Sequence, residues 1–352
     1  MSAVLVDAAV ASRGVALELA VPSGSVTAVV GPNGSGKTSL LHLVAGLLRP
    51  TEGLVRVGDL VLSDPRTVVA THRRRVALLT QRSALFPHLS VLDNVAFAPR
   101  AAGATRDAAR ERAVAELTGV GCEALAGRAA HELSGGQAQR VAIARALAGD
   151  PLVVLLDEPM AGLDIGAAAE LRRVLAERLR GRTSLLVTHE ALDVWTIADR
   201  VAVIGGGRVL ETGPADDLLA RPTSHFLAQL GGLTLLAGVG RGGDLELADG
   251  RHVQGLSDEA QPLHEGRPGL AGIPPEAVSL HLEPPGGSPR NALPAVVESV
   301  EPRGPVVRVL LDVGAQRLAA DVTSQSVAGM GLGPGSAVWA VVKAVQVRLY
   351  GR

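Results

Sequence analysis

Gly31-Pro32-Asn33-Gly34-Ser35-Gly36-Lys37-Thr38 is the stretch whose reading decides the fold of this 352-residue chain. It follows Val26-Thr27-Ala28-Val29-Val30, a β-branched run with the character of a buried strand, and it opens onto residues 39–48, which have helical length and apolar spacing. Strand, glycine loop and helix in that order are the context in which G-x-x-x-x-G-K-[ST] is a phosphate loop; the alternative is an ordinary Gly-rich turn. The glycines let backbone N–H groups turn inward around phosphate oxygens, and the helix start adds the positive end of its dipole. Lys37 can then reach the β- and γ-phosphates, and the Thr38 hydroxyl can ligate Mg²⁺.

Charge usage singles out the same residue. Of 34 basic residues, all but Lys37 and Lys343 are arginine. A compact ammonium stands where a planar fork would not fit a phosphate cradle, which makes Lys343 a second place to look. The length suits two domains, one of ordinary size and one smaller. With 47% hydrophobic residues but only 2% aromatic ones, the cores must be Ala/Val/Leu packing. A net charge of −1 argues against a general nucleic-acid binder, which carries a basic stripe. No apolar run approaches the roughly 18 residues of a membrane span, and the N-terminus lacks a signal pattern. A soluble, cytoplasmic protein is expected. Cys122 stands alone, which excludes an intrachain disulfide and reads as an incidental thiol without an activating partner nearby.

Residues 4–30 read as two or three short strands, with 22–25 as the turn into the phosphate-loop strand. Residues 76–81 form another buried strand with Gln81 at its end; the carboxyl end of a strand in a parallel sheet faces the ligand crevice, the alternative being a loop cap. Phe86 and Phe97, two of only three Phe residues, lie in a Pro-containing stretch that is either a docking surface or a local core beneath a loop. Residues 105–117 read as a surface helix with solvated charges. Leu133-Ser134-Gly135-Gly136-Gln137 leads straight into the helical run 138–147, presenting a hydroxyl and free N–H groups at a helix N-terminus, a second anion-binding arrangement. The most apolar strand, 152–156, ends in Asp157 and Glu158. Asp157 can hold Mg²⁺ and Glu158 can orient or deprotonate an attacking water, with a helix cap as the bland alternative. His189 ends a further strand, 184–188, where it can touch the γ-phosphate or the water.

Taken together, Gly31 to Thr38, Gln81, Leu133 to Gln137, Asp157-Glu158 and His189 resemble the ATP-binding subunit of an ATP-binding-cassette (ABC) transporter, over roughly residues 1–230. That resemblance implies an α/β P-loop NTPase fold and two subunits paired head to tail, each nucleotide held between the phosphate loop of one and the signature of the other. ATP would be bound by Gly31, Pro32, Asn33, Gly34, Ser35, Gly36, Lys37, Thr38 and Ser39 of one copy and by Ser134, Gly135, Gly136 and Gln137 of its partner. Thr38, Gln81 and Asp157 would hold Mg²⁺, with Glu158, His189, Lys37 and Gln81 acting in catalysis. Asp164 matches the loop that links the two sites, while Ala161 replaces a commoner Ser. No aromatic residue precedes Lys37, so adenine would rest on an aliphatic surface near Val15.

Pro- and Gly-rich sequence from Gly231 onward marks a change of domain. Residues 245–253 read as a hairpin with an Asp-Gly turn. Residues 293–298, 306–311, 317–323 and 338–349 read as four strands, enough for a small closed barrel. Ser288-Pro289-Arg290-Asn291, residues 322–327 with 331–335, and Ala340-Val341-Val342-Lys343-Ala344 together resemble the small molybdate-binding barrel of oxyanion proteins. The resemblance implies a tetrahedral dianion near Arg290, Ser326 and Lys343, between paired barrels; the alternatives are a plain dimerisation module or spacer. The expected divisions are 1–231 for the ATP-binding domain, 232–288 for a linker with accessory strands and 289–352 for an all-β, OB-like barrel. The combined expectation is the ATPase subunit of a bacterial molybdate, or tungstate, importer at the inner face of the plasma membrane. Its partners would be a second copy, two permease subunits and, indirectly, a periplasmic or lipid-anchored molybdate-binding protein, with no nucleic acid. A sulfate, polyamine or sugar importer, and a soluble ATP-dependent switch, are the alternatives.

Overall fold

A computed structural model describes residues 4–286 and 290–352. Contacts divide the chain into two compact units, Met1–Asp216 and Asp217–Arg352. In the first unit a six-stranded sheet has the order Arg208–Pro214, Arg200–Gly205, Val26–Val30, Ser184–Val187, Val153–Asp157, Val76–Leu79. All neighbours are parallel except the edge pair of Arg208–Pro214 with Arg200–Gly205. Central strands such as Val26–Val30 are buried at every residue, which is why they read as continuous apolar runs without alternation. A second, antiparallel sheet is formed by Val15–Val21, Val4–Val10, Glu52–Val57 and Leu60–Ser63. The first two of these alternate buried and more exposed residues along their length. Two aliphatic cores cover the faces of the six-stranded sheet. One lies toward the helices Val91–Ala101, Arg106–Gly119, Gly135–Ala148 and Ile165–Arg178. The other lies between Lys37–Ala45 and the antiparallel sheet.

The phosphate-loop helix runs from Lys37 to Ala45, shorter than the apolar spacing predicts. Gly46 stops it with φ of 84°, its N–H returning to the His42 and Leu43 carbonyls. A side chain at Gly46 would also collide with the Arg74 guanidinium, 2.4 Å from the place of its Cβ. Arg74 is 1% exposed and donates to the carbonyls of Leu43, Val44, Leu62 and Val69. It thus caps the last turn of this helix, where carbonyls lack intrahelical partners. On Arg106–Gly119 the expected solvation of charge fails at Glu116, which is 3% exposed and paired with Arg112 and Arg178. Cys122 is fully buried, and burial pushes its thiol upward, away from reactivity.

The second unit differs from expectation in three ways. Its boundary falls at Asp216/Asp217 rather than at residue 231. The stretch 232–288, expected as a linker with accessory strands, supplies five strands of a six-stranded sheet. Its strands Thr234–Arg241, Asp244–Glu246, His252–Val253, Leu256–Ser257 and Pro268–Ile273 build one sheet together with the C-terminal Arg348–Gly351. Within that sheet Asp249-Gly250 does turn a hairpin, with Gly250 at φ 83°. The strand expected over 338–349 is broken: Ala337–Val342 belongs to a second sheet, a turn at Ala344–Gln346 follows, and Arg348–Gly351 crosses to the first. A strand that changes sheets at a bend lets two sheets share one core, here Leu236, Leu245, Leu311, Val338 and Leu349 among others. The second sheet has the order Ser279–His281, Ala337–Val342, Asn291–Arg303, Val306–Asp312, Arg317–Val322. Among the described residues no ladder joins its two edge strands, so the barrel is not closed by hydrogen bonds there.

Candidate functional site

Sheet order explains why chemistry gathers at one edge. Val26–Val30, Ser184–Val187, Val153–Asp157 and Val76–Leu79 are consecutive and parallel, so all four carboxyl ends emerge side by side. They deliver the phosphate loop, His189, Asp157-Glu158 and Gln81. In open α/β sheets ligands bind in that crevice.

The loop itself is held from outside. Gly31 has φ of 150°, and a Cβ there would sit 2.0 Å from the Ile204 carbonyl oxygen, so only glycine fits. Ser35 O accepts from Gly207 N at 3.1 Å, and Gly207 O accepts from Ala16 N at 2.8 Å. Val15 is buried, and its Cγ1 lies 3.0 Å from the place of a Gly36 Cβ, so it forms a wall against the loop. Lys37 is 7% exposed, its Nζ donating to Gly31 O at 2.8 Å and Pro32 O at 2.9 Å. Burial pulls this ammonium below the usual lysine range, while the Glu158 and then the Asp157 carboxylate act against that pull.

Thr38 Oγ1 donates to Asp157 Oδ2 across 3.4 Å. Burial first and the Glu158 carboxylate second hold Asp157 above the ordinary carboxylate range, with Thr38, His42 and Lys37 opposing. Glu158 has φ of 47°, a left-handed conformation that costs a non-glycine residue about 1–3 kcal/mol. Its Oε2 accepts from Gln81 Nε2 at 3.0 Å, and its Oε1 faces His189 Nδ1 at 3.7 Å. Gln81 is therefore no mere loop cap. The turn before His189 is fixed by a buried network: Thr188 Oγ1 donates to Asp193 Oδ2 at 2.6 Å, and Arg172 meets Asp193 Oδ1 at 2.7 Å. Neither Arg172 nor Asp193 was singled out by the sequence reading; the only local hint is Asp193 five residues beyond Thr188.

Whether these residues suit a nucleotide can be tested on the loop. Ser35 Oγ is buried without a protein partner, inside a cradle whose first glycine admits no side chain. A buried hydroxyl is costly to leave unpaired, and one beside a lysine and a helix N-terminus suits phosphate oxygens. Thr38 and Asp157 are hard oxygen donors, as Mg²⁺ requires. No group of three or more His, Cys, Asp or Glu that could hold a metal ion is found among the described residues.

Ser134 caps the helix Gly135–Ala148: its Oγ accepts from Gln137 N at 3.3 Å while Gln137 Oε1 accepts from Ser134 N at 3.1 Å. The hydroxyl proton stays available. No hydrogen bond joins this signature to the phosphate loop of its own chain among the described residues. Asp164 caps the helix Ile165–Arg178 through Ala167 N at 2.9 Å, and Ala161 is exposed.

The three residues read as an oxyanion site come from separate elements of the second sheet. Asn291 pairs with Val342 across two antiparallel strands, which puts Arg290 and Lys343 side by side at one end of that sheet. Ser326 lies on the short helix Ser324–Met330 after Arg317–Val322, and this strand runs opposite to Ala337–Val342. Ser326 is thus carried by the helix after the far edge strand, not by the two strands that bring Arg290 and Lys343 together. Its Oγ instead pairs with Thr323 Oγ1 at 2.9 Å. Ser288 and Pro289, read with this site, lie outside the described residues.

A phosphate loop, a strand-end carboxylate pair and a second glycine-led helix N-terminus define a P-loop nucleotide hydrolase. The ABC transporter family matches residues 15–161, and the TOBE domain family matches 287–349. Over 99% of its length the chain is 47% identical to the molybdenum import ATP-binding protein ModC of Mycobacterium tuberculosis, covering 98% of that protein. It is 35% identical to the molybdate/tungstate import ATP-binding protein WtpC of Pyrococcus abyssi, over 92% of this chain and 91% of that one. Among solved structures, cbiO1 of Clostridium perfringens, part of the ABC transporter complex cbiONQ, is 30% identical with a TM-score of 0.56, covering 62% of this chain and 90% of that one. The chain belongs to the ABC transporter family of ATP-binding subunits, with a C-terminal TOBE domain. It is an ATPase that works with membrane permease components. No described helix is long and apolar enough to cross a membrane.

Proposed function

We propose that this chain is the energising subunit of a molybdate importer, tungstate being the second cargo, and that it acts as a head-to-tail pair. The observation that carries the reading is the single crevice edge where Lys37, Thr38, Asp157, Glu158, Gln81 and His189 meet in a chain alike to a molybdenum importer subunit along its whole length. Gly31 to Ser39 hold the phosphates, with Lys37 as a point charge. Thr38, Asp157 and Gln81 hold Mg²⁺, which when bound neutralises developing phosphoryl charge. Glu158 accepts the proton of the attacking water, steadied by Gln81 on one oxygen and with His189 beside the other. Ser134 to Gln137 close the partner's site. Their lack of bonding to the loop of their own chain supports this. The exposed Phe97, its ring tilted against that of Phe86 with centroids 4.6 Å apart, supports a permease docking face. Arg290 and Lys343, side by side, supply the charge for an internal oxyanion sensor.

Turnover of MgATP by a Glu158→Gln variant tests the catalytic role: loss is expected, and wild-type turnover would remove Glu158 from it. Calorimetry of the full chain with molybdate tests the sensor. Binding that Lys343→Ala weakens is expected, and no binding, or binding indifferent to that change, ends the idea. The cargo is tested by competition among molybdate, tungstate and sulfate for ATP-driven uptake.

A further inference from the structure

The helix Gly135–Ala148 carries two polar side chains that its signature does not use. Gln139 is 4% exposed, and falls with Ile143 and Leu147 on one buried stripe of that helix. Its Nε2 donates to Pro159 O at 3.1 Å, in the turn after Glu158, and reaches Gln81 O at 3.5 Å. Both neighbours are carbonyls, which fixes the amide orientation and leaves Oε1 buried without a partner. Arg145, which has no carboxylate partner among the described residues, donates through Nη1 to Ala84 O at 2.8 Å and through Nη2 to Ser83 O at 3.1 Å. Its guanidinium carbon lies 5.4 Å from the centre of the Phe86 ring. Between these two anchors Ala84 has φ of 43°, a left-handed conformation that an alanine holds only when its surroundings impose it.

We propose that Gln139 and Arg145 are positioning residues that set Gln81 against Glu158. The two side chains clamp the carbonyls of Gln81, Ser83 and Ala84, so the segment between the sheet edge and Phe86 is gripped at both ends by one helix. Gln81 Nε2 then meets Glu158 Oε2 at 3.0 Å. Gln139 also ties that helix to the turn that keeps Glu158 at φ 47°. The proposal rests on Glu158 acting on the attacking water.

A double-mutant cycle in the full-length protein tests it, read as steady-state MgATP turnover beside thermal unfolding. Arg145→Gln and Gln139→Leu are expected to lower kcat about five- to tenfold while leaving the KM for ATP within about twofold. In a Gln81→Ala background Arg145→Gln is expected to cost less than about twofold, because the group it positions is already gone, while Gln139→Leu keeps only the part of its cost that acts through Pro159. Equal losses in both backgrounds, or a raised KM with kcat unchanged, would overturn the positioning role. If Arg145→Gln does not fold, Arg145→Lys and Gln139→Leu complete the cycle, since lysine cannot reach both carbonyls and stack on Phe86 at once. Glu158→Gln is measured alongside. When it abolishes turnover, additivity counts against the clamp alone; when it does not, the reading of Glu158 fails first.

Discussion

Asp193→Asn is the substitution whose consequence is best defined by the geometry around His189. Asp193 is 2% exposed and accepts three bonds: from Thr188 Oγ1 at 2.6 Å and from Arg172 Nε and Nη2, each at 2.7 Å. Asparagine replaces one carboxylate oxygen by an NH₂ group; facing the hydroxyl it reverses the bond to Thr188 Oγ1, and in either orientation Arg172 loses its counter-charge. Charge-assisted bonds contribute about 1.5–3 kcal/mol each. Removing one partner of a buried pair costs up to about 5 kcal/mol. Asparagine keeps an acceptor, which brings the expected loss to about 2–4 kcal/mol, or about 4–16 °C in melting temperature for a unit of this size. Thr188 Oγ1 also accepts from Glu190 N at 3.1 Å, so the loosened hydroxyl frees the turn that carries His189. Turnover should therefore fall with stability. Scanning calorimetry and MgATP turnover of Asp193→Asn check this, with Thr188→Ser as the control that keeps the hydroxyl and both properties. A variant melting within about 2 °C of wild type with undiminished turnover would refute the argument that this network holds His189.

Arg74→Met should destabilise the first unit by about 2–4 kcal/mol, because four buried carbonyls lose their donor and a similar apolar volume offsets only part of the loss. Denaturant unfolding reads it, and a loss under about 1 kcal/mol would mean that the helix end does not depend on this cap. Asp157 has a folded-state pKa raised above 3.8, chiefly by burial and then by Glu158. The folded protein thus binds that proton more tightly than the unfolded chain, and the stability gained is full below 3.8 and lost as pH rises through the raised value. Asp157→Asn should accordingly melt above wild type at pH 7 and lose that advantage on acidification, while MgATP turnover falls by about two orders of magnitude. A variant that melts at or below wild type at neutral pH would show that Asp157 carries no such penalty.

The chemistry of the first unit was legible because it is contiguous. A phosphate loop needs glycines, an ammonium and a hydroxyl within eight residues, and the strand before it and the helix after it show in their own periodicity. Gln81, Asp157, Glu158 and His189 could be named because each ends an apolar run, and in a parallel sheet every such end faces one crevice. The hairpin at Asp249-Gly250 was equally local. What the sequence left open were contacts between residues far apart in the chain. Arg74 beneath the helix end, Gln139 against Pro159, Arg145 against Ser83 and Ala84, and Arg172 with Asp193 carry no local signal, because only strand order and helix packing supply their partners.

The second unit shows the same division. Composition and turn residues revealed its strands, but the pattern of alternating valines does not say where a strand leaves one sheet for another, and so 338–349 read as one piece. Nor does it give direction. Arg290, Ser326 and Lys343 were joined by the resemblance to an oxyanion barrel, and only the antiparallel register puts Arg290 level with Lys343 and Ser326 on the helix after the far edge strand. A linear chain records the local preferences of each segment. Which segments become neighbours, and which way each one runs, is a property of the whole fold, because pairing and packing energies are shared between residues that the sequence keeps apart.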